Sequence, residues 1–204
     1  GDIFAGYIAK RMGLPIDRLV IATNHNDILH RAITTGRYDP STVTPTITPS
    51  MDIQVSSNFE RALFDAYDRN GEAIVRLMGE LKEGGFGINK EALSILQNYF
   101  DSGRATEKET SLTIKSMFES TGEVLCPHSA VGVKVANESL GTAPMITLAT
   151  AHPAKFPDAV DASMGKRPAL PSWLADLFDR SERLTEMPND LQLMKTLICE
   201  RIEL

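Results

Sequence analysis

Excess positive charge, cysteine, tryptophan and long apolar runs are all scarce in this sequence. Its 204 residues hold 21 Lys and Arg against 27 Asp and Glu, a formal net charge of -6. No basic run is present to face a line of phosphates, so nucleic-acid binding is disfavoured. Cys126 and Cys199 are the only cysteines. They share no short-range spacing, which argues against a disulfide framework and against a zinc site. Two reduced thiols of a cytoplasmic protein are expected instead. No stretch approaches the roughly 18 consecutive apolar residues of a membrane span. The longest apolar runs, residues 19–22 and 145–151, are strand-sized. Residues 1–11 carry no basic region ahead of an apolar core, so no signal peptide is read there. Internal repeats and low-complexity segments are absent as well.

What is present is ordinary for a globular protein, with 42% hydrophobic and 24% charged residues. The length suits one large domain or part of a two-domain protein. Asp2 can cap a helix, with Ile3, Phe4, Tyr7, Ile8 and Met12 on one face and Gly13 and Pro15 as its stop. Residues 19–23 (LVIAT) read as a strand of a parallel sheet, buried on both faces. Asn26 or Asp27 then caps a second helix, with Ile28, Leu29, Ala32 and Ile33 inward and Gly36 ending it. Helix, strand and helix with short links is an α/β pattern.

Residues 38–50 are dense in Thr and Pro and read as an irregular extended segment. Helical spacing resumes at Ser57, with Phe59, Ala62, Leu63, Ala66 and Tyr67 on one face, closed by Asn70 and Gly71. A second face holds Ile74, Leu77, Met78 and Leu81, closed by Gly84 and Gly85. Asn89 caps a third helix, with Ala92, Leu93, Leu96 and Phe100 inward. Thr106 and Glu109 form a capping box that opens a fourth. A small-residue helix follows Cys126, Pro127 and His128, and residues 145–150 read as the second clear strand. Helices are expected over 154–164, from Pro171 with Trp173, Leu174, Leu177 and Phe178 inward, and over 190–203. Two strands among about nine helices is an odd balance, and partner strands are expected upstream. The chain opens at Gly1-Asp2 directly in helical spacing, as expected of a cut within a fold.

Several motifs carry chemistry, and each has a plain structural reading beside it. Thr150, His152 and Lys155 follow the second strand, where open α/β sheets bind ligands. Equally, Thr150 or His152 can simply cap the next helix. His128 sits at a helix start, where a partly exposed capping histidine is the bland alternative. Residues 56–61 (SSNFER) open a helix with Ser, Asn and Arg near free amides, which suits an anion; a serine cap with solvated Glu60 and Arg61 explains the same residues. Residues 84–87 (GGFG) follow no strand and precede no Walker lysine, so they are a helix stop rather than a phosphate loop. His25 and His30 have no metal-ligand spacing.

Four segments, taken in order, resemble threonine synthase: GDIFAGY at 1–7, SMDIQVSSNFER at 50–61, CPHSAVG at 126–132 and ATAHPAKF at 149–156. Together they span the whole chain. The resemblance implies an α/β fold, the C-terminal part of a tryptophan-synthase β-subunit-like pyridoxal-phosphate enzyme (fold type II), helix-rich with a few parallel strands. Residues 1–37 and 123–165 would belong to the cofactor-binding α/β domain, 38–122 to a loop plus helical insertion, and 166–204 to C-terminal helices. The implied reaction converts O-phospho-L-homoserine and water to L-threonine and phosphate, with pyridoxal 5'-phosphate as electron sink.

The resemblance also implies roles for single residues. Gly1 and Asp2 match the last two positions of the family's glycine-rich phosphate loop, which places the following helix N-terminus at the cofactor phosphate. Thr150 matches the residue that bonds the pyridine nitrogen. His152 and Lys155 match positions near the active site, with Lys155 able to meet the substrate phosphate. Asn58 and Arg61 look like the substrate-side loop. The lysine that forms the cofactor's Schiff base lies upstream in the family, and Lys155 is not it. The chain alone is therefore expected to be inactive, without a catalytic lysine or a metal, and not to hold the cofactor. Its expected partners are the small-molecule substrate and the missing N-terminal part of the same polypeptide, in the cytoplasm, with no nucleic acid and no membrane. The competing class is a non-catalytic ligand-binding or interaction module derived from the same fold. A sister enzyme such as a dehydratase is disfavoured by the pairing of 50–61 with 149–156.

Overall fold

A computed structural model gives the structure, which describes residues 1–202. The chain divides into two units, residues 1–169 and residues 170–204.

The first unit opens with α1 (Asp2–Arg11). Gly1, not Asp2, is the N-cap, and the Asp2 carboxylate sits in the first turn, where the helix dipole favours it. Of the expected face only Tyr7 is buried; Ile8 and Met12 stay exposed. β1 (Leu19–Thr23) follows as expected, and so does α2 (Ile28–Thr35), with Ile28, Ala32 and Ile33 buried. Gly36 ends α2 at φ 75°, a conformation that a side chain strains, and the turn passes into β2 (Arg37–Tyr38).

Four helices follow the irregular segment: α3 (Phe59–Ala66), α4 (Gly71–Lys82), α5 (Lys90–Tyr99) and α6 (Glu107–Thr121). Asn70 was expected to close α3; instead its side chain accepts the Ala73 amide and opens α4. Asp68 and Arg69, both at positive φ, make the turn that ends α3. Asn89 caps α5 through the Ala92 amide at 2.7 Å, and the Thr106–Glu109 capping box is formed. Residues 84–87 run into β3 (Phe86–Gly87), which pairs antiparallel with β2, so they are no phosphate loop.

The sheet differs from the expectation. β1 pairs in parallel with β4 (Phe100–Arg104), in register Leu19 with Phe100 through Thr23 with Arg104. Phe100 therefore belongs to a strand rather than to the face of α5. Residues 145–150 form no strand among the described residues; they carry no regular secondary structure, with Ile146 80% exposed. An apolar run becomes a strand only where a neighbour supplies the other half of the ladder. α7 (Pro127–Asn137) contacts both β1 and β4. The contact is close: a Cβ on Gly103 would lie 2.7 Å from Val135. α8 (Pro157–Met164) packs on α6, with Ile114, Ala130 and Val160 sealing a small core. The main core runs from Tyr7 through Leu63 and Leu96 to Phe100.

In the second unit the expected helix from Pro171 is only two 3-10 turns, Ser172–Leu174 and Leu177–Asp179. Trp173 and Phe178 are 75% and 83% exposed, so the spacing had no core to face there. α9 (Leu191–Ile202) follows, opened by Asp190, whose carboxylate accepts the amides of Gln192 and Leu193. The expected end of this helix at Glu203 lies outside the described residues.

Candidate active site

The loop after β1 is pinned by its own asparagines. Asn24 donates to Thr48 Oγ1 at 2.8 Å and to Asp52 Oδ1 at 2.7 Å. Asn26 exchanges hydrogen bonds with the backbone of Thr44 at 2.9 Å in each direction. Both asparagines are buried, and this network holds the proline-rich segment in place without regular structure. At its far end the Ser50 amide donates to His128 Nε2 at 3.1 Å, and α7 thereby receives the 50–61 segment.

That segment leads to the start of α3, where Asn58 Oδ1 accepts a hydrogen bond from the Arg61 guanidinium. The same guanidinium lies over the Phe4 ring of α1, 5.9 Å from its centroid. A Cβ on Gly1 would lie 3.8 Å from Asn58 Nδ2. Tyr7 donates to Asp65 Oδ2 at 3.0 Å and accepts from Arg11 at 3.0 Å, which ties α1 to α3. Gly1, Asp2, Asn58 and Arg61 are thus gathered where α1 and α3 both begin. The side chains of Asp2 and Arg61 are exposed there.

A second group forms at the start of α7. Residues 147–150 cross this helix, and the crossing needs Gly132: a Cβ there would come 2.8 Å from Thr147. One turn earlier, Ser129 Oγ accepts the Thr150 amide at 3.0 Å. Thr150 Oγ1 lies 3.4 Å from Ser129 Oγ and 3.7 Å from Cys126 Sγ. His128 is not the exposed cap that its position suggested. It is buried inside α7, 4.5 Å between centroids from Phe156, while Cys126 is the cap and its sulfur accepts the Ser129 amide at 3.3 Å. Burial pushes the Cys126 thiol up, but hydrogen bonding with Ser129 and Thr150, beside the neighbouring His128 ring, outweighs it and holds the thiol down at about 6. His128 Nδ1 is the buried polar atom left without a hydrogen-bond partner among the described residues.

His152 and Lys155 stand apart from this group. His152 Nδ1 accepts the Ala154 amide at 3.1 Å and caps the 3-10 turn Pro153–Lys155, as its plain reading required. Lys155 is exposed and makes no ion pair among the described residues. Phe156, in the same turn, meets His128. No hydrogen bond joins Thr150 to the start of α1 among the described residues. The link runs through His128, Ser50 and the 50–58 segment. Two surface recesses, one beside Tyr38 and Phe86 and one beside Tyr67 and Arg76, include none of the expected site residues. No metal-binding cluster is present among the described residues, and no helix there is long and apolar enough to cross a membrane.

Sequence reasoning missed Cys126 and Ser129, and it placed His128 on the surface. The signal was available: Cys-Pro ahead of a small-residue run marks an N-cap followed by proline in the first turn.

The sequence model of the family described as threonine synthase, C-terminal, matches residues 129–198. The curated threonine synthase of Pseudomonas aeruginosa is 48% identical over 205 residues, covering 98% of this chain and 44% of its own length. The crystal structure of pyridoxal-phosphate-bound threonine synthase from Brucella melitensis superposes with a TM-score of 0.92 at 54% identity, over 98% of this chain and 43% of that one. Threonine synthase from yeast gives 0.88 at 37% identity, over 99% and 45%. The chain therefore spans less than half the length of the relatives it matches. Along its whole length it resembles the C-terminal portion of threonine synthases and shares their α/β, helix-rich fold.

Proposed function

We propose that this chain is the C-terminal part of a threonine synthase. The polypeptide containing it would convert O-phospho-L-homoserine and water to L-threonine and inorganic phosphate in the cytoplasm. The observation that carries this reading is spatial. The four segments of the resemblance are far apart in sequence, yet each adjoins another. Gly1 meets Asn58, Phe4 meets Arg61, Ser50 meets His128, and Ser129 meets Thr150.

The residues suit pyridoxal phosphate at both ends. At α1 the amides ahead of the first intrahelical bond, Ala5 to Gly1, face outward with the positive end of the helix dipole, which suits a phosphate. At α7 the exposed Thr150 hydroxyl stands over buried polar atoms and suits a ring nitrogen. The unpartnered His128 Nδ1 supports the same view, because polar atoms gather there beyond what packing needs. When bound, the cofactor supplies an electron sink for the substrate's carbon chemistry. Asn58 and Arg61 would hold the substrate's anionic groups, with the Phe4 ring fixing the guanidinium. Lys155 would meet the substrate phosphate, and His152 would orient the turn that carries it. In this reading 1–37 and 123–165 build the cofactor-binding part, 38–122 is an insertion and 166–204 are C-terminal helices. The 204-residue chain alone is inactive and retains no cofactor.

The test is phosphate release from O-phospho-L-homoserine by the longer polypeptide with pyridoxal phosphate, with threonine measured beside it. Equal amounts of both products are expected, and none from the 204-residue chain. Phosphate without threonine, or neither product from the longer polypeptide, would sink the reading. A stoichiometric borohydride-trapped adduct at one lysine of the short chain would refute its inactivity.

A further inference from the structure

Two of the four segments carry the side chains assigned above to the substrate's anionic groups: Asn58 and Arg61 on 50–61, and Lys155 on 149–156. Among the described residues no hydrogen bond or ion pair joins these two segments directly. They meet on a third element. His128, in the first turn of α7 and only 6% exposed, touches both. Its Nε2 accepts the Ser50 amide at 3.1 Å. Its ring lies 4.5 Å between centroids from that of Phe156, the residue after Lys155.

Each contact lands on a held point. Two residues after Ser50, the Asp52 carboxylate accepts Asn24 at 2.7 Å, Asn26 at 2.9 Å and the Thr46 amide at 2.8 Å. Farther on, the Ser56 amide donates to Tyr38 Oη at 2.7 Å. Tyr38 is buried and stacked on both Phe59 and Phe86. The backbone from Ser50 to Asn58 is thus pinned along its length, and a shift at Ser50 reaches Asn58 and Arg61. On the other side the Phe156 carbonyl accepts the amide of the buried Val160 and opens α8. His128 is also fixed relative to Thr150, because the next residue, Ser129, accepts the Thr150 amide at 3.0 Å.

One ring therefore spaces the anion-holding side chains from the place where Thr150 would receive the cofactor. A substrate held at both ends is selected by the length of chain between them. The chemistry of the histidine suits spacing better than filling. A backbone N–H can only donate, so Nε2 is the acceptor and the proton sits on Nδ1, which is buried and unpartnered among the described residues. A buried orphan donor is a poor filler, since an apolar ring of the same size would not carry that cost.

We propose that His128 sets the chain length of the phosphorylated amino acid this site accepts, by holding the 50–61 segment and the Lys155 turn at a fixed distance from Thr150. The inference rests on the threonine synthase reading above and names the residue that would separate O-phospho-L-homoserine from its homologue one methylene shorter. His128 is a positioning residue that acts through Ser50 and Phe156.

The experiment uses the longer polypeptide with pyridoxal phosphate bound. KM and kcat for O-phospho-L-homoserine are measured beside the inhibition constant of O-phospho-L-serine, the shorter homologue. Wild type is compared with H128F, which keeps a ring against Phe156 but offers no acceptor, with H128Q, which keeps an acceptor, and with F156L. One methylene in a fitted pocket is worth about tenfold or more, so the ratio of inhibition constant to KM should fall about tenfold in H128F and F156L. KM should rise by more than kcat falls, and H128Q should stay near the wild-type ratio. F156L decides the matter should H128F fail to fold. A merely structural histidine would weaken both ligands by the same factor. An unmoved ratio in either folded variant overturns the inference while the threonine synthase reading stands. A wild-type polypeptide that makes no threonine overturns both.

Discussion

Leu63 and Trp173 are both large apolar residues at helical spacing, yet Leu63 has no exposed surface and Trp173 keeps 75% of its own. The contrast holds across the two units. In residues 1–169 the apolar faces of α3, α4 and α5 pack into one core, and α4 and α5 start at side-chain caps. In residues 170–204 the same kind of spacing yields two short 3-10 turns, and no residue of α9 is buried. A helix is marginal on its own sequence, and burial of its apolar face supplies most of its stability. Where nothing covers that face, local signals decide. α9 has the Asp190 cap, whereas residues 171–179 have Pro171 and no side-chain cap.

The comparison can be broken most severely from inside the first unit. Leu63→Ala should cost about 2–5 kcal/mol, the usual range for emptying a fully buried leucine site, read as a lowered urea midpoint for the whole of that unit. A loss below about 0.5 kcal/mol would mean that this core does not hold the unit together. A matched pair of cap removals is the next largest effect. Thr106→Ala removes the capping box of α6 and should lower the unfolding free energy of the first unit by about 1 kcal/mol. Asp190→Ala removes a cap of similar chemistry, but it should reduce only the helical signal of α9 and leave that midpoint in place. Equal shifts of the midpoint would show that the two units unfold as one. The smallest effect is expected from Trp173→Ala, within about 0.5 kcal/mol, because little of that side chain leaves water. A larger loss by calorimetry would place Trp173 in a buried contact.

Within the first unit, legibility followed the range of the interaction. The caps at Asn89 and Thr106 and the stop at Gly36 were readable because each closes a hydrogen bond within a few residues. β1 was readable from its β-branched run. Its partner was not, because Asp101, Ser102 and Gly103 have no strand pattern, and the backbone ladder with β1 makes them a strand. The converse error at 145–150 has the same origin: an apolar run found no ladder. At the candidate site the residue types of Thr150, Asn58 and Arg61 could be picked out from a resemblance in sequence. The Cys126–Ser129–Thr150 chain could not, because it depends on where residues 147–150 cross α7.

The sequence by itself determined the helix ends at Gly36, Asn89 and Thr106, the α/β class and the ordered segments that liken this chain to threonine synthase, since these rest on short-range hydrogen bonds and residue identity. Only the tertiary structure decided which strand pairs with β1, which apolar faces are covered and which side chains meet the Thr150 hydroxyl. Each of those depends on atoms brought together across 24 to 81 positions of chain, and no local pattern encodes that meeting.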